Sequence, residues 1–454
     1  MGIGPLVGNK INFQAVNRDG PGIAVVLSNI FGIFLGKSMP HSLQVHCVCG
    51  GFGFPVGTAS TKRVMLMGRA LHSAGVAFRV WHLGPSSHSE NTRRNGVEDG
   101  VSWEYLSPKV RRPANRWVRA FYFVYGCIFL PFRLARLRRD ICVYVYYQGN
   151  MIDLWALFIC RLLNIPVAQE CCEWWPGTPD ETRFIRWMYQ NIMFRWSTGA
   201  LPISKLIEER IKKLARSDYP VLRVPVLVDA DEVSRERNHP PTTPGADQPY
   251  LFWCGMVDGY IRDPVFLIQI LGEVGRRYAL RPCLVLAGPC SDAVREELLS
   301  VAEAAGLEQG QVIATGFIPE VELFRLATHA VGALLPLWDD DRSATRFPTK
   351  LGLYAAACRP VVASPIGEIS HYLRDRETVL FAPAGDESAW ADAVATLMKD
   401  ADLCAQLVDR MQSEVLPLIE YRSVGPILKE WFVGLYQKSS NSRRVLKQRN
   451  SVVC

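Results

Sequence analysis

The sequence predicts an α/β protein of two doubly wound halves joined by a single linker. Short apolar runs alternate with amphipathic helical stretches along most of the chain, the pattern of parallel strands connected through helices. The alternation breaks over 231–248, where Pro240, Pro241, Pro244 and Gly245 sit in a polar stretch. At 454 residues the chain also exceeds what one hydrophobic core normally holds.

Composition narrows the class. Hydrophobic residues make up 49% of the chain, and the formal net charge of +7 favours anionic partners such as nucleotides or an acidic membrane surface. The 13 cysteines lack the repeated pair spacing of a zinc site, and several (Cys127, Cys160, Cys283, Cys358) lie in apolar runs. They read as buried thiols of a reducing compartment. With no run of about 20 uninterrupted apolar residues, no transmembrane helix is expected. Residues 22–35 are apolar and glycine-rich, but Lys10, Arg18 and Asp19 upstream make a poor signal peptide. Residues 1–40 are expected to be an extension outside the fold.

The first half is expected over 41–230. Leu43 to Cys49 reads as a buried strand, followed by a glycine-rich turn from Gly50 to Thr61, a helix over 62–74 and a strand over 76–81. The turn is not a strict Gly-x-Gly-x-x-Gly, which weakens a dinucleotide reading. Further strands are expected over 141–147, 165–169, 199–203 and 221–228, with helices over 150–163, 181–196 and 205–215, the last capped by Ser204. The second half is expected over 249–420, with strands at 250–254, 283–287, 312–314, 330–335, 361–363 and 379–383. Helices over 264–278, 291–305, 319–328, 349–357 and 387–398 alternate with them. A terminal helix over 421–437 and a disordered tail over 438–454 complete the expectation.

Candidate chemistry gathers at the carboxyl ends of these strands, where parallel sheets bind ligands and helix N-termini attract phosphate. The stretch from Arg346 to Glu368 is one such step: a basic loop, a helix of small residues, the break Arg359-Pro360, a short strand, and a turn ending in Gly367-Glu368. Arg262 and Lys350 can converge there on one anion, as a diphosphate leaving group requires when its charge grows; otherwise they are solvated charges. Gly367 lets backbone N–H groups approach a ligand and Glu368 can accept from hydroxyls, or the pair is an ordinary turn with an acid in the first helical turn. Glu170 and Glu173 close another strand beside Trp174 and Trp175, which suit stacking on a sugar or the packing of a surface loop. Asp339, Asp340 and Asp341 read as a solvated loop before a metal site. Over 109–139 basic residues bracket the run from Phe121 to Leu130, which suits the headgroup boundary of an anionic bilayer, the alternative being a core helix with basic ends. No nucleic-acid-binding module is recognisable.

Pro348, Lys350, Tyr354, Pro360-Val361-Val362, Gly367 and Glu368, with the segment from Leu380 to Asp386, resemble the GT-B glycosyltransferases of the bacterial group 1 (family four type) class that builds surface polysaccharides. In the first half Gly57 to Arg63, Ile203-Ser204 and Glu173-Trp174 extend the resemblance. It implies two Rossmann-like domains around a cleft and a nucleotide-sugar substrate, with no cofactor and no metal. Arg262 and Lys350 would take the diphosphate, with Gly57 across the cleft, Glu368 by the donor sugar and Glu173 near the acceptor or the reacting carbon. Gly255, Arg346, Tyr354 and Gly367 would complete the donor side, and Glu173, Arg262 and Lys350 would be the catalytic set. The implied acceptor is a lipid-linked saccharide or polysaccharide precursor, handled by a peripheral protein on the cytoplasmic face of the plasma membrane. Two departures keep an inactive scaffold of the same fold open, alongside a sugar-nucleotide epimerase. Thr345 and Leu353 stand where the class often has glutamates, and Cys358 replaces its usual glycine.

Overall fold

The computed structural model describes residues 43–137, 140–146, 151–176 and 181–451, with side chains to 440. The extension expected over 1–40 lies outside them. Two twisted sheets form two lobes. The first holds β1 (Gln44–Cys49), β2 (Ala77–His82), β3 (Asn95–Glu98), β4 (Val101–Tyr105), β5 (Ile141–Tyr146), β6 (Val167–Cys171) and β7 (Gly199–Pro202). Their order is β3-β4-β2-β1-β5-β6-β7, parallel except for β3. The second holds β8 (Tyr250–Cys254), β9 (Cys283–Ala287), β10 (Val312–Gly316), β11 (Gly332–Leu335), β12 (Val361–Ala363) and β13 (Leu380–Phe381). It is parallel throughout, in the order β10-β9-β8-β11-β12-β13. In both lobes the order reverses beside the first strand (β1 or β8), the switch point at which such sheets open a crevice.

Helices cover the sheets because each buries an apolar stripe that water would otherwise meet. In the first lobe these are α1 (Ala59–Ser73), α2 (Arg116–Leu137), α3 (Met151–Leu163) and α4 (Lys205–Leu214). Ser204 caps α4, its hydroxyl accepting from the Ile207 amide at 3.3 Å. Next come α5 (Ala230–Arg235), α6 (Arg262–Tyr278), α7 (Asp292–Ala304), α8 (Glu320–His329), α9 (Thr349–Ala356), α10 (Glu387–Lys399) and α11 (Tyr421–Ser451). The expected linker therefore begins as helix: Asp229 caps α5, accepting from the Glu232 amide at 3.1 Å. Helix α9 ends on Cys358 at φ +55°, the left-handed position where glycine is usual.

Four findings differ from the expectation. A hairpin, β3–β4, was not foreseen, although its turn Asp99-Gly100 is a standard marker: both residues have positive φ, 48° and 79°. The strand expected over 221–228 reduces to isolated bridges at Val221 and Val228. Pro225 has no N–H to offer a ladder, and the Val224 and Pro225 carbonyls are taken by Arg63. The tail expected to be disordered from 438 continues α11 as helix to Ser451. It extends a segment already ordered by packing, because Val424, Leu428, Phe432 and Leu435 sit in the first lobe's core, and propagation costs far less than nucleation. Finally, α2 is long and apolar enough to cross a membrane by length and composition, where no such helix was expected. β4 before it and β5 after it are parallel strands of one sheet, so α2 is part of the crossover that leads from the carboxyl end of β4 back to the amino end of β5.

One ion pair is buried inside the first lobe. Arg63 on α1 donates to Glu170 on β6 from Nε at 2.9 Å and Nη2 at 2.7 Å, and Tyr144 donates to the same carboxylate. Burial holds the Glu170 carboxyl above the usual carboxylate value despite Arg63. Glu170 is therefore a structural partner of Arg63 and not one half of a cleft pair with Glu173.

Candidate active site

The cleft lies where the carboxyl ends of the two sheets face each other. On the second-lobe side, Lys350 begins α9 and folds back over the Trp253 indole, its Nζ 3.8 Å from the ring centroid and 3.7 Å from Asp263. Gly255 makes this possible, since a Cβ there would stand 2.8 Å from the Trp253 ring and 3.1 Å from Lys350 Cε. Burial pulls the Lys350 ammonium below its usual value, with Asp263 opposing, and the same burial raises the Asp263 carboxyl. Arg262, one residue before Asp263, lays its guanidinium on the Trp338 ring at 3.4 Å, while Trp338 Nε1 donates to Asp263 at 2.8 Å. Arg262 makes no ion pair among the described residues and stays exposed. The result is a pair of cations on aromatic platforms, one half-buried and one exposed, beside Asp263.

Asp263, Trp253 and Trp338 were not singled out from the sequence. Asp263 follows Arg262 directly and Trp338 precedes the acidic triplet, but nothing in either spacing reveals that the chain folds them together. Of that triplet, Asp340 caps a short helix at the Ser343 amide (2.7 Å), and Asp341 takes Arg210 of α4 at 2.5 Å.

The two lobes are tied across the cleft by residues expected to serve the donor or the acceptor. Glu173, just past β6, accepts from Arg346 Nη2 at 2.7 Å. Glu368 is buried and accepts from the Lys205 amide at 2.7 Å and from Arg223 at 3.1 Å. Burial raises its carboxyl, with these donors opposing. Glu368 thus caps the N-terminus of α4 in the opposite lobe and does not stand free to meet a sugar hydroxyl. Ser204 adds a bond to the Thr345 carbonyl at 2.6 Å. Lys62, at the start of α1, reaches Glu320 at 2.7 Å and Glu232 at 3.2 Å.

Two other candidates have structural reasons. Gly367 sits at φ +66°, and a Cβ there would meet the Ser343 carbonyl at 2.5 Å. Gly367→Ala is expected to destabilise the protein by more than about 1 kcal/mol, read as a fall in denaturant midpoint at unchanged slope. Tyr354 corrects the expectation outright. It is fully buried, its hydroxyl accepting from the Cys254 amide at 3.2 Å and donating to the Leu334 carbonyl at 3.4 Å, so it splints β8 to β11 beneath the cleft. Gly57 lies exposed in the turn before α1, on the first-lobe wall. Its missing side chain leaves room for Thr61, whose hydroxyl donates to the Gly53 carbonyl at 2.7 Å and closes the turn.

Residues 248–400 match the family of Glycosyl transferases group 1. No curated protein matches the chain in sequence. Among solved structures, the sucrose-phosphate synthase of Thermosynechococcus elongatus superposes with a TM-score of 0.64 at 14% identity, covering 87% of this chain and 100% of its own. Anabaena HepE in complex with UDP and glucose gives 0.62 at 10% identity, with 86% and 98% covered. The trehalose 6-phosphate synthase of Burkholderia multivorans gives 0.62 at 13%, with 88% and 100% covered. At such identities the likeness establishes the fold. The chain has the GT-B architecture anticipated from its sequence, and the family match falls on its second lobe.

Proposed function

We propose that this protein is a glycosyltransferase that moves a sugar from a nucleotide diphosphate donor to a lipid-linked saccharide or polysaccharide precursor. The observation that carries the reading is the Arg262–Lys350 pair, two cations held around Asp263 at the strand ends of a group 1 domain. In the transfer, the bond from the anomeric carbon to the diphosphate oxygen breaks and a bond to an acceptor hydroxyl forms. The hydroxyl proton passes to the departing phosphate, and the two cations meet the growing charge without a metal ion in the scheme. Attack on the same face gives retention. Because HepE is solved with UDP and glucose, UDP-sugars are the first donors to try.

The basic and apolar surface of α2 supports a peripheral place on the cytoplasmic face of a membrane. Trp117, Phe121, Val124, Ile128 and Phe132 form one exposed stripe at helical spacing, with Arg111, Arg112, Arg116 and Arg136 exposed at its ends. Binding to vesicles containing anionic lipid is expected to weaken as salt rises; flotation that ignores both lipid charge and salt would remove this part.

The test of the reading is melting with a panel of nucleotide diphosphates, followed by transfer from labelled UDP-sugars into a membrane extract in the presence of EDTA. Stabilisation by one nucleotide and labelled lipid-soluble product are expected. A second reading, an inactive scaffold, draws on the Glu368 and Glu173 contacts across the cleft and on Leu353, which cannot accept from a ribose. Nucleotide-independent melting would favour it.

A further inference from the structure

The exposed stripe of α2 does not stand alone. Helix α3 beside it exposes Met151 and Leu162, which are 66% and 65% accessible. Between the two helices runs a groove of about 340 Å³, lined by Phe123, Val124, Cys127, Ile128, Met151 and Trp155. Its walls are apolar. Trp155 commits its one polar atom to the Cys127 carbonyl, donating from Nε1 at 3.0 Å.

The groove's position is set by the strand ends beneath it. Phe123 packs where a Cβ on Gly84 would be 2.8 Å away, and the Ile152 side chain where one on Gly50 would be 2.8 Å away. Gly126 crosses against the Leu83 carbonyl so closely that any side chain would collide. Gly50 follows β1 and opens the turn that leads to Gly57, and Leu83-Gly84 follow β2. The groove therefore rests on the cleft-facing end of the first lobe's sheet, on the acceptor side. Arginines flank α2 at both ends, so an anionic head is favoured next to an apolar body.

We infer that the groove between α2 and α3 seats the hydrocarbon chain of an isoprenoid or alkyl phosphate, placing its phosphate-linked head toward the cleft. This rests on the reading of a lipid-linked acceptor. The chain leaves an anionic bilayer on which α2 lies and covers the open apolar groove, so the exposed walls at Val124, Ile128 and Met151 lose water together with the chain while the head reaches the sugar donor.

The test uses the full-length protein and a farnesyl phosphate carrying a diazirine on its chain. Illumination is expected to label peptides containing Phe123–Ile128 and Met151–Trp155. Unlabelled long-chain polyprenyl phosphate should compete, and phosphatidylglycerol vesicles should not. Cys127→Trp, which fills the slot, and Val124→Asp, an exposed position that places a charge on its wall, should each reduce labelling at least tenfold. Stabilisation by UDP should be unchanged in both, which also shows that they fold. Equal competition by phosphatidylglycerol overturns the inference in favour of plain bilayer docking. Labelling indifferent to both variants overturns it too, as do cross-links from the groove to residues 22–35 of the same chain, which would make that segment the occupant. If UDP binds and sugar is transferred while the groove stays unlabelled, only this inference fails. If no nucleotide binds and no sugar moves, the proposed function fails whatever the groove holds.

Discussion

Lys350→Ala is expected to lower the efficiency of sugar transfer on the order of 10²–10³-fold and to abolish stabilisation by UDP. The half-buried ammonium is held in place between the Trp253 ring and Asp263, a fixed position that a diffusing cation does not reproduce. Arg262→Ala should cost less, because its exposed guanidinium can be partly replaced by water and counterions. The burial of Lys350 adds a signature in pH. Its folded value lies below the ordinary lysine value of about 10.4. Between those two values the unfolded chain binds more protons than the folded one at this position, so this group makes unliganded stability rise with pH. The increment contributed by UDP moves the other way over the same window, because a neutral amine cannot hold a diphosphate. Melting curves with and without UDP across the alkaline range separate the two. A UDP increment that stays flat up to and through the ordinary lysine value of about 10.4 in the natural protein would show that Lys350 is not the cation.

The asymmetry between what the sequence reveals and what it hides follows from where information is local. Strands such as Tyr250–Cys254 and helices such as Arg262–Tyr278 announce themselves because burial repeats at the period of the element. The place of Lys350 at a helix start beside the strand ends is also legible, since it depends only on a helix starting after a strand. Asp263 is different. It matters through contacts with Lys350, 87 positions away, and with Trp338, and neither is written in its own neighbourhood. Tyr354 lies on the same helix as Lys350 and looks equally available, yet one turn of helix carries it into the core. Glu368 was expected to serve a sugar because its turn is open in sequence. What occupies it is the amide of Lys205 from the other lobe, which only tertiary structure supplies.

Arg63→Ala is expected to be the most damaging single substitution for stability, by about 3–5 kcal/mol. The guanidinium is buried, satisfies two Glu170 contacts, and also donates to the Val224 carbonyl at 3.0 Å and to the Pro225 carbonyl. Its loss strands a carboxylate in the interior with, among the described residues, Tyr144 and Cys172 as the remaining side-chain donors. Glu170→Gln should be milder, because the amide still offers Arg63 an acceptor and the guanidinium keeps both carbonyls. Replacing both, as Arg63→Met with Glu170→Leu, should recover most of the stability lost by Arg63→Ala, since the desolvation cost of the pair disappears along with its attraction. Denaturant midpoints of the three variants decide the matter; a double variant no more stable than Arg63→Ala would mean that the cavity and not the orphaned charge dominates. Activity should not follow stability. Arg63 ties α1, whose preceding turn carries Gly57, to Glu170 of β6, three residues before Glu173, and to the chain that leads out of the lobe. The double variant keeps the lobe folded but releases that tie, so the Glu173–Arg346 contact loses its fixed base. A stable double variant with full transfer activity would separate the buried pair from the positioning of Glu173 altogether.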